Sequence, residues 1–271
     1  MKKMNLKDVQ NVSLDILDNF HSFCTSNNIK YSLAYGTLLG AIRHQGFIPW
    51  DDDVDVVMLR EDFDRFCELY PDSKDYKLFS YKRKNMYAAC ARLCETNKTL
   101  VITGYPLFTE DVGVWIDIFP IDIVEDCQSS FSKAVDLIIK ADYDTKMKRF
   151  SLLPLRFQTK SIKNILCYLK RKLFLYHSID YYINRHLSLI STVSSNNGKL
   201  ACQLSCPDSK VKECVPISVF ENYIKVNFEG HQFYAVSNYD LWLTTLYEDY
   251  MKLPPLDERQ RGHTYHDYYW K

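Results

Sequence analysis

Apolar positions lay out the first elements of the chain. Between Leu6 and Asn28, residues Leu6, Val9, Leu14, Ile16, Leu17, Phe20 and Phe23 recur at helical spacing, which predicts an amphipathic helix closing at Asn27-Asn28. Tyr31 to Tyr35 is a short apolar run broken by Gly36, a strand and its turn, and Thr37 is the expected cap of a short helix over 38–43. Beyond Gly46 and Pro49, residues 52–58 read as a second strand and 61–70 as a helix. Residues 76–102 read as two or more strands around Lys82-Arg83-Lys84, and 112–119 as another, stopped by Pro120. Strands and helices in this order predict an α+β fold, a mixed sheet with helices packed on it. From about residue 129 the texture turns helical, which divides the chain into a core (1–128), a basic helical region (129–200) and a segment (201–271) that completes the core.

Charge sharpens that division. The 271 residues hold 34 Lys+Arg against 34 Asp+Glu, so net charge supplies no attraction for polyanions, and no nucleic-acid partner is expected. Between 145 and 178, however, stand Lys146, Lys148, Arg149, Arg156, Lys160, Lys163, Lys170, Arg171 and Lys172 with no acid, leaving 25 basic against 34 acidic residues elsewhere. Interleaved with Leu, Phe, Ile and Tyr, these make a basic amphipathic region. It suits an anionic membrane or phosphate-rich polymer, and equally a solvated helical hairpin. Hydrophobic content of 46% excludes a disordered chain. Asp8, Asp15 and Asp18 break any apolar run after the basic N-terminus, and no stretch reaches the roughly 18 apolar residues of a membrane span. A cytoplasmic protein is expected, at most resting on the inner face of the membrane. Nine scattered cysteines fit reduced thiols there; Cys202, Cys206 and Cys214 stand close enough to suggest zinc, but lack a C-x-x-C or paired-His partner.

The chemistry concentrates between Ala34 and Met58. Asp53 and Asp55 stand two apart in an apolar strand, so both side chains leave one face, with Val54 and Val56 on the other. Adjacent carboxylates beside a core repel, and a divalent cation removes that cost; Mg²⁺ takes one or two carboxylates together with substrate phosphates. Asp51 shares the face of Asp53, while Asp52 points the other way as a supporting group. Upstream, Gly36 and Thr37 offer backbone amides and a hydroxyl to phosphate oxygens at a helix start, and Gly40 is expected to let that helix pack closely on the sheet. Downstream, Asp117 is a lone charge in an apolar strand, either a third carboxylate for the same metal or a core acid satisfied by a lysine or backbone amides. Arg43 and His44 are candidates for phosphate oxygens or plain helix-end cations; Arg92 is a further cation in an apolar strand. Trp50 stacks on a base or pins its loop. Near the C-terminus Arg259, Arg261, His263 and His266 crowd among tyrosines, in a tail folded over the site or in a solvated end.

The run Gly36-Thr-Leu-Leu-Gly-Ala-x-Arg-His-x-Gly-Phe-Ile-Pro-Trp-Asp-Asp-Asp-x-Asp55 resembles the signature of the LicD family of phosphotransferases, which is similar to fukutin-related proteins. Trp115-Ile-Asp-Ile-Phe-Pro120 and Leu246-Tyr-Glu-Asp-Tyr-Met-x-Leu-Pro-Pro255, with His263 nearby, extend the resemblance over nearly the whole chain, weakly between about 125 and 210. It implies a nucleotidyltransferase-like fold and transfer of phosphocholine from CDP-choline to a cell-surface glycan or its precursor, as in lipopolysaccharide or teichoic acid. Other CDP-alcohols, carrying ribitol, glycerol or ethanolamine, suit the same chemistry. Carried over by position, Asp53, Asp55 and Asp117 become catalytic and bind Mg²⁺ (or Mn²⁺), Asp117 alternatively taking the proton of the incoming sugar hydroxyl. Gly36 and Thr37 become the phosphate-contacting turn, with Arg43, His44, Trp50, Asp51, Arg92 and His263 on substrate. The competing reading is a catalytically inactive relative that grips anionic lipid or polymer through 145–178.

Overall fold

A computed structural model describes residues 1–104, 106–125, 129–152, 162–207, 214–259 and 266–271. Its helices are α1 (Leu6–Ser26), α2 (Tyr35–His44), α3 (Arg60–Leu69), α4 (Ser129–Leu152), α5 (Ile162–Phe174), α6 (Ile179–Val193) and α7 (Tyr239–Tyr247). The strands are β1 (Lys2–Lys3), β2 (Ser32–Leu33), β3 (Asp55–Leu59), β4 (Tyr76–Ser80), β5 (Ala91–Glu95), β6 (Thr99–Thr103) and β7 (Trp115–Val124), followed by β8 (Leu200–Gln203), β9 (Cys214–Pro216), β10 (Tyr223–Phe228), β11 (His231–Val236) and β12 (His266–Trp270). The fold is mixed α and β, as the alternation of elements predicts.

The long apolar strand β7 is the axis of a seven-stranded sheet ordered β2-β3-β7-β5-β4, with β8 on β7 and β9 on β8. β3 runs parallel to β7, and the remaining pairs are antiparallel. Pro120 does not end β7, contrary to expectation. The Asp117 amide donates to the Val54 carbonyl on the β3 side, so by strand alternation position 120 turns its nitrogen to the other edge. There β5 pairs only as far as Ile118 and β8 begins at Ile121, so no ladder bond is asked of the proline.

α1 and α3 pack against β3, β5 and β7. Reciprocal hydrogen bonds fix the start of α1: the Asp8 amide donates to Asn5 Oδ1 at 2.9 Å and the Asn5 amide to Asp8 Oδ2 at 3.0 Å. α3 sends Arg60 back to the fully buried Asp122 of β7 through two hydrogen bonds of 2.8 and 2.7 Å. The C-terminal strand β12 is ordered between β1 and β6, joining the two ends of the chain in one small sheet.

Two local expectations change. The second helix starts at Tyr35, not at residue 38, so Thr37 lies inside it and caps nothing. Its buried hydroxyl accepts the Asp55 amide at 2.9 Å. Cys202 and Cys214, register partners on β8 and β9, form a disulfide, so the cysteines are not all thiols and two sulfurs of the suggested zinc cluster are not available as thiolates.

Candidate functional site

Register gathers the site. Asp55 of β3 lies opposite Asp117 of β7, and Asp117 lies opposite Arg92 of β5, so acid, acid and base form one row across three adjacent strands. The next row, Val56, Ile118 and Ala91, points to the opposite face and is wholly buried. Apolar packing on that face thereby fixes which way the charged row faces. Arg92 Nε donates to Asp117 Oδ1 at 2.5 Å, and Trp115 Nε1 donates to Asp117 Oδ2 at 3.1 Å. The Arg92 guanidinium also lies 4.7 Å from the Trp115 ring centre. Behind Trp115 stands the C-terminal strand, its His266 ring edge-on at 5.1 Å. Asp117 is thus a paired core acid, with an arginine where a lysine was considered, and it also reaches the site.

That site is a cavity of about 410 Å³ lined by Asp53, Asp55, Asp117 and Arg92, with α4 as its far wall. Asp142, Thr145, Lys146 and Arg149 contribute from α4, spaced i, i+3, i+4 and i+7 and therefore on one helical face. Asp142, Thr145 and Arg149 are buried, and Lys146 pairs with Asp142 at 2.7 Å. The basic helical region is consequently part of the site wall. Tyr35, Tyr87, Phe119 and Tyr247 supply aromatic surface. Tyr35 sits at φ 45°, a left-handed conformation costing an aromatic residue about 1–3 kcal/mol, and packs edge-on against Phe119 at 5.9 Å and Trp242 at 6.0 Å.

Burial, and next the charges of Asp53, Asp117 and Asp51, push the Asp55 carboxyl well above the ordinary carboxylate range; Arg92 offsets part of this. The donor set is all carboxylate oxygen, which fits a hard divalent cation. Among the described residues, the three-acid group whose ligand oxygens all lie within 4.8 Å of one another is Asp51, Asp52 and Asp53, not Asp53 with Asp55 and Asp117, and Asp52 thus joins Asp53 in place of pointing away from it.

Several sequence candidates stand elsewhere. A methyl group on Gly36 would lie 2.7 Å from Asp51 Oδ2, so the anion beside the first turn of α2 is the chain's own carboxylate. Gly40 packs on the loop, not the sheet: a Cβ there would meet the Gly46 carbonyl at 2.4 Å. Asp53 precedes β3 in place of lying within it. Arg43 donates to the Tyr250 and Lys252 carbonyls at 2.8 and 3.4 Å and to His44 Nε2 at 3.0 Å. Arg43 and Trp50 line a second cavity of about 510 Å³ with Leu253, Pro254 and Pro255; Tyr247 borders both cavities. Arg259 lies 5.7 Å from the Trp50 ring centre. Arg261 and His263 lie outside the described residues. The sequence reading missed the α4 face and Tyr35. Its available signal was a polar i, i+3, i+4, i+7 stripe inside a helix with apolar neighbours.

Comparison with known proteins places residues 28–167 in the family described as LicD/FKTN/FKRP, nucleotidyltransferase domain. The chain is 32% identical over 275 residues to the lipopolysaccharide cholinephosphotransferase LicD of Haemophilus influenzae, covering 97% of each protein. It is also 37% identical over 95 residues to an uncharacterised protein of Rickettsia typhi, covering 35% of this chain and 30% of that one. An uncharacterised protein of Rickettsia prowazekii is 38% identical over 96 residues, 35% of each.

Proposed function

The chain belongs to the LicD/FKTN/FKRP nucleotidyltransferase family, and on that premise we propose that it is a metal-dependent transferase. It moves phosphocholine, or a similar phospho-alcohol, from a CDP-linked donor to a hydroxyl of a cell-surface glycan or its precursor. The observation that carries this reading is the pairing of opposite charges across one cavity: the Asp55–Asp117–Arg92 row on the sheet, Lys146 and Arg149 on the facing helix. A diphosphate is the substrate group that needs both, cations for its oxygens and a metal held by acids.

Asp53, Asp55 and Asp117 would hold Mg²⁺ (or Mn²⁺), which when bound neutralises diphosphate charge and eases departure of CMP. Arg92 and Trp115 fix the Asp117 carboxylate at both oxygens, so its position does not depend on substrate. Lys146 and Arg149 bind phosphate oxygens as charge accumulates on them, the electrostatic positioning that phosphoryl transfer mainly requires. The acceptor oxygen forms a bond to the choline-bearing phosphorus, the bond to the CMP oxygen breaks with its electron pair, and the hydroxyl proton passes to a cavity carboxylate. Tyr35, Tyr87, Phe119 and Tyr247 offer ring faces to a quaternary ammonium, and the relative's action as a cholinephosphotransferase supports choline as the alcohol. Incubation of the full chain with Mg²⁺, CDP-choline and acceptor glycan should release CMP only when all three are present. Absence of CMP with every CDP-alcohol tried rejects the reading.

A further inference from the structure

α5 carries a surface that the cavity does not use. Leu166, Leu169 and Leu173 follow at i, i+3 and i+7 and so form one stripe; Phe174, about 100° round the helix from Leu173, and Tyr176, past the helix end, add exposed rings beside it. These five side chains are between 54 and 74% exposed. By helical geometry Lys170 and Lys172 flank the stripe on its two sides. The opposite face is engaged: the Arg171 guanidinium lies 5.7 Å from the ring centre of Phe150 on α4, and Lys148 of α4 donates to the Leu175 carbonyl at 2.7 Å. Beyond the helix, the Tyr176 ring lies tilted against His177 with centroids 4.1 Å apart, and His177 stacks on Tyr181 at 4.0 Å.

We propose that α5 lies on an anionic lipid surface, with the leucine stripe at the acyl boundary and Lys170 and Lys172 among the headgroup phosphates. This goes beyond the transferase reading and stands on different residues. The features are those of an interfacial helix: exposed apolar side chains on one face, cations at both shoulders, and amphipathic rings at the end where lipid meets water. Charge complementarity selects the partner. From 145 to 178 there is no acid, so a second copy docked stripe to stripe would bring lysines against lysines, whereas anionic headgroups supply the missing counter-charge.

The test is co-sedimentation of the full chain with phosphatidylcholine vesicles, with and without phosphatidylglycerol. Binding should require phosphatidylglycerol and weaken with salt. Leu166→Ser/Leu169→Ser/Leu173→Ser and, separately, Lys170→Glu/Lys172→Glu should each lower partitioning at least about tenfold. Melting temperature and CMP release with a soluble acceptor fragment should stay unchanged in both. Equal partitioning of variants and wild type overturns the proposal, as does wild type that ignores phosphatidylglycerol. So does a dimer in solution that the leucine variant dissolves, which would put a second copy on the stripe. None of these results bears on CMP release, so the two readings fail separately.

Discussion

Replacing Asp55 by Asn should stabilise the metal-free protein while abolishing its activity. Asp55 and Asp117 are register neighbours on parallel strands, which run about 4.8 Å apart. At that spacing and an effective dielectric near 20, two unit charges repel by about 3.5 kcal/mol. Asp53 adds to this repulsion and Arg92, hydrogen-bonded to Asp117, subtracts from it, leaving a net relief of about 1–3 kcal/mol on neutralising Asp55. The amide variant keeps the backbone bond to Thr37, so little else should change. In EDTA its melting temperature should exceed that of wild type by about 3–9 °C. The pH dependence follows from the raised carboxyl. The folded chain retains the Asp55 proton above the ordinary value of 3.8, so it binds more protons than the unfolded chain. Wild-type stability therefore falls as pH rises from that ordinary range toward the folded value, and the variant lacks this component of the fall. Magnesium should raise the wild-type melting temperature and leave the variant's nearly unmoved, while CMP release drops at least about a hundredfold. A variant that melts at or below wild type in EDTA, or gains equally from magnesium, refutes the reasoning.

Two further substitutions probe the sheet's other face and the cavity wall. Asp122→Asn removes the charge that Arg60 grips twice inside the protein and should cost about 2–4 kcal/mol in urea unfolding, with activity per folded molecule retained; a loss below about 1 kcal/mol would mean that Arg60 finds water instead. Lys146→Met should raise the KM for the CDP donor about tenfold or more and leave that for the acceptor unchanged, measured by CMP release; an unchanged donor KM would show that this face of α4 does not meet the diphosphate.

The sheet side of the site was legible because its geometry is local. An Asp or Arg inside an apolar run stands out, so Asp55, Asp117 and Arg92 could be picked from sequence; Asp53 joins them through its spacing to Asp55, although it precedes the strand. The row across β3, β7 and β5 was not legible, since register depends on partners far apart in sequence. For the same reason the Thr37–Asp55 bond escaped notice, and Cys202 and Cys214 stood out as possible zinc ligands and not as the disulfide that strand register makes them. Lys146 and Arg149 were hidden among other cations, where a buried charge and a solvated one read alike until the neighbouring sheet is known. Arg43 could not be placed from sequence because helix-end cations suit either phosphate or carbonyl oxygens; here its guanidinium donates to the carbonyls of Tyr250 and Lys252. Pro120 misled because a missing donor matters only where a neighbour needs it.

α4 meets both the cavity and α5, and the positions it uses interleave: 142, 145, 146 and 149 inward, 148 and 150 toward α5. An insertion of one residue upstream would swing everything beyond it by about 100° and carry both sets out of alignment together. Length variation among relatives should accordingly spare this helix or come in whole turns. Anyone grafting a different surface helix onto this scaffold inherits the phase of α4 as the one dimension that must be kept.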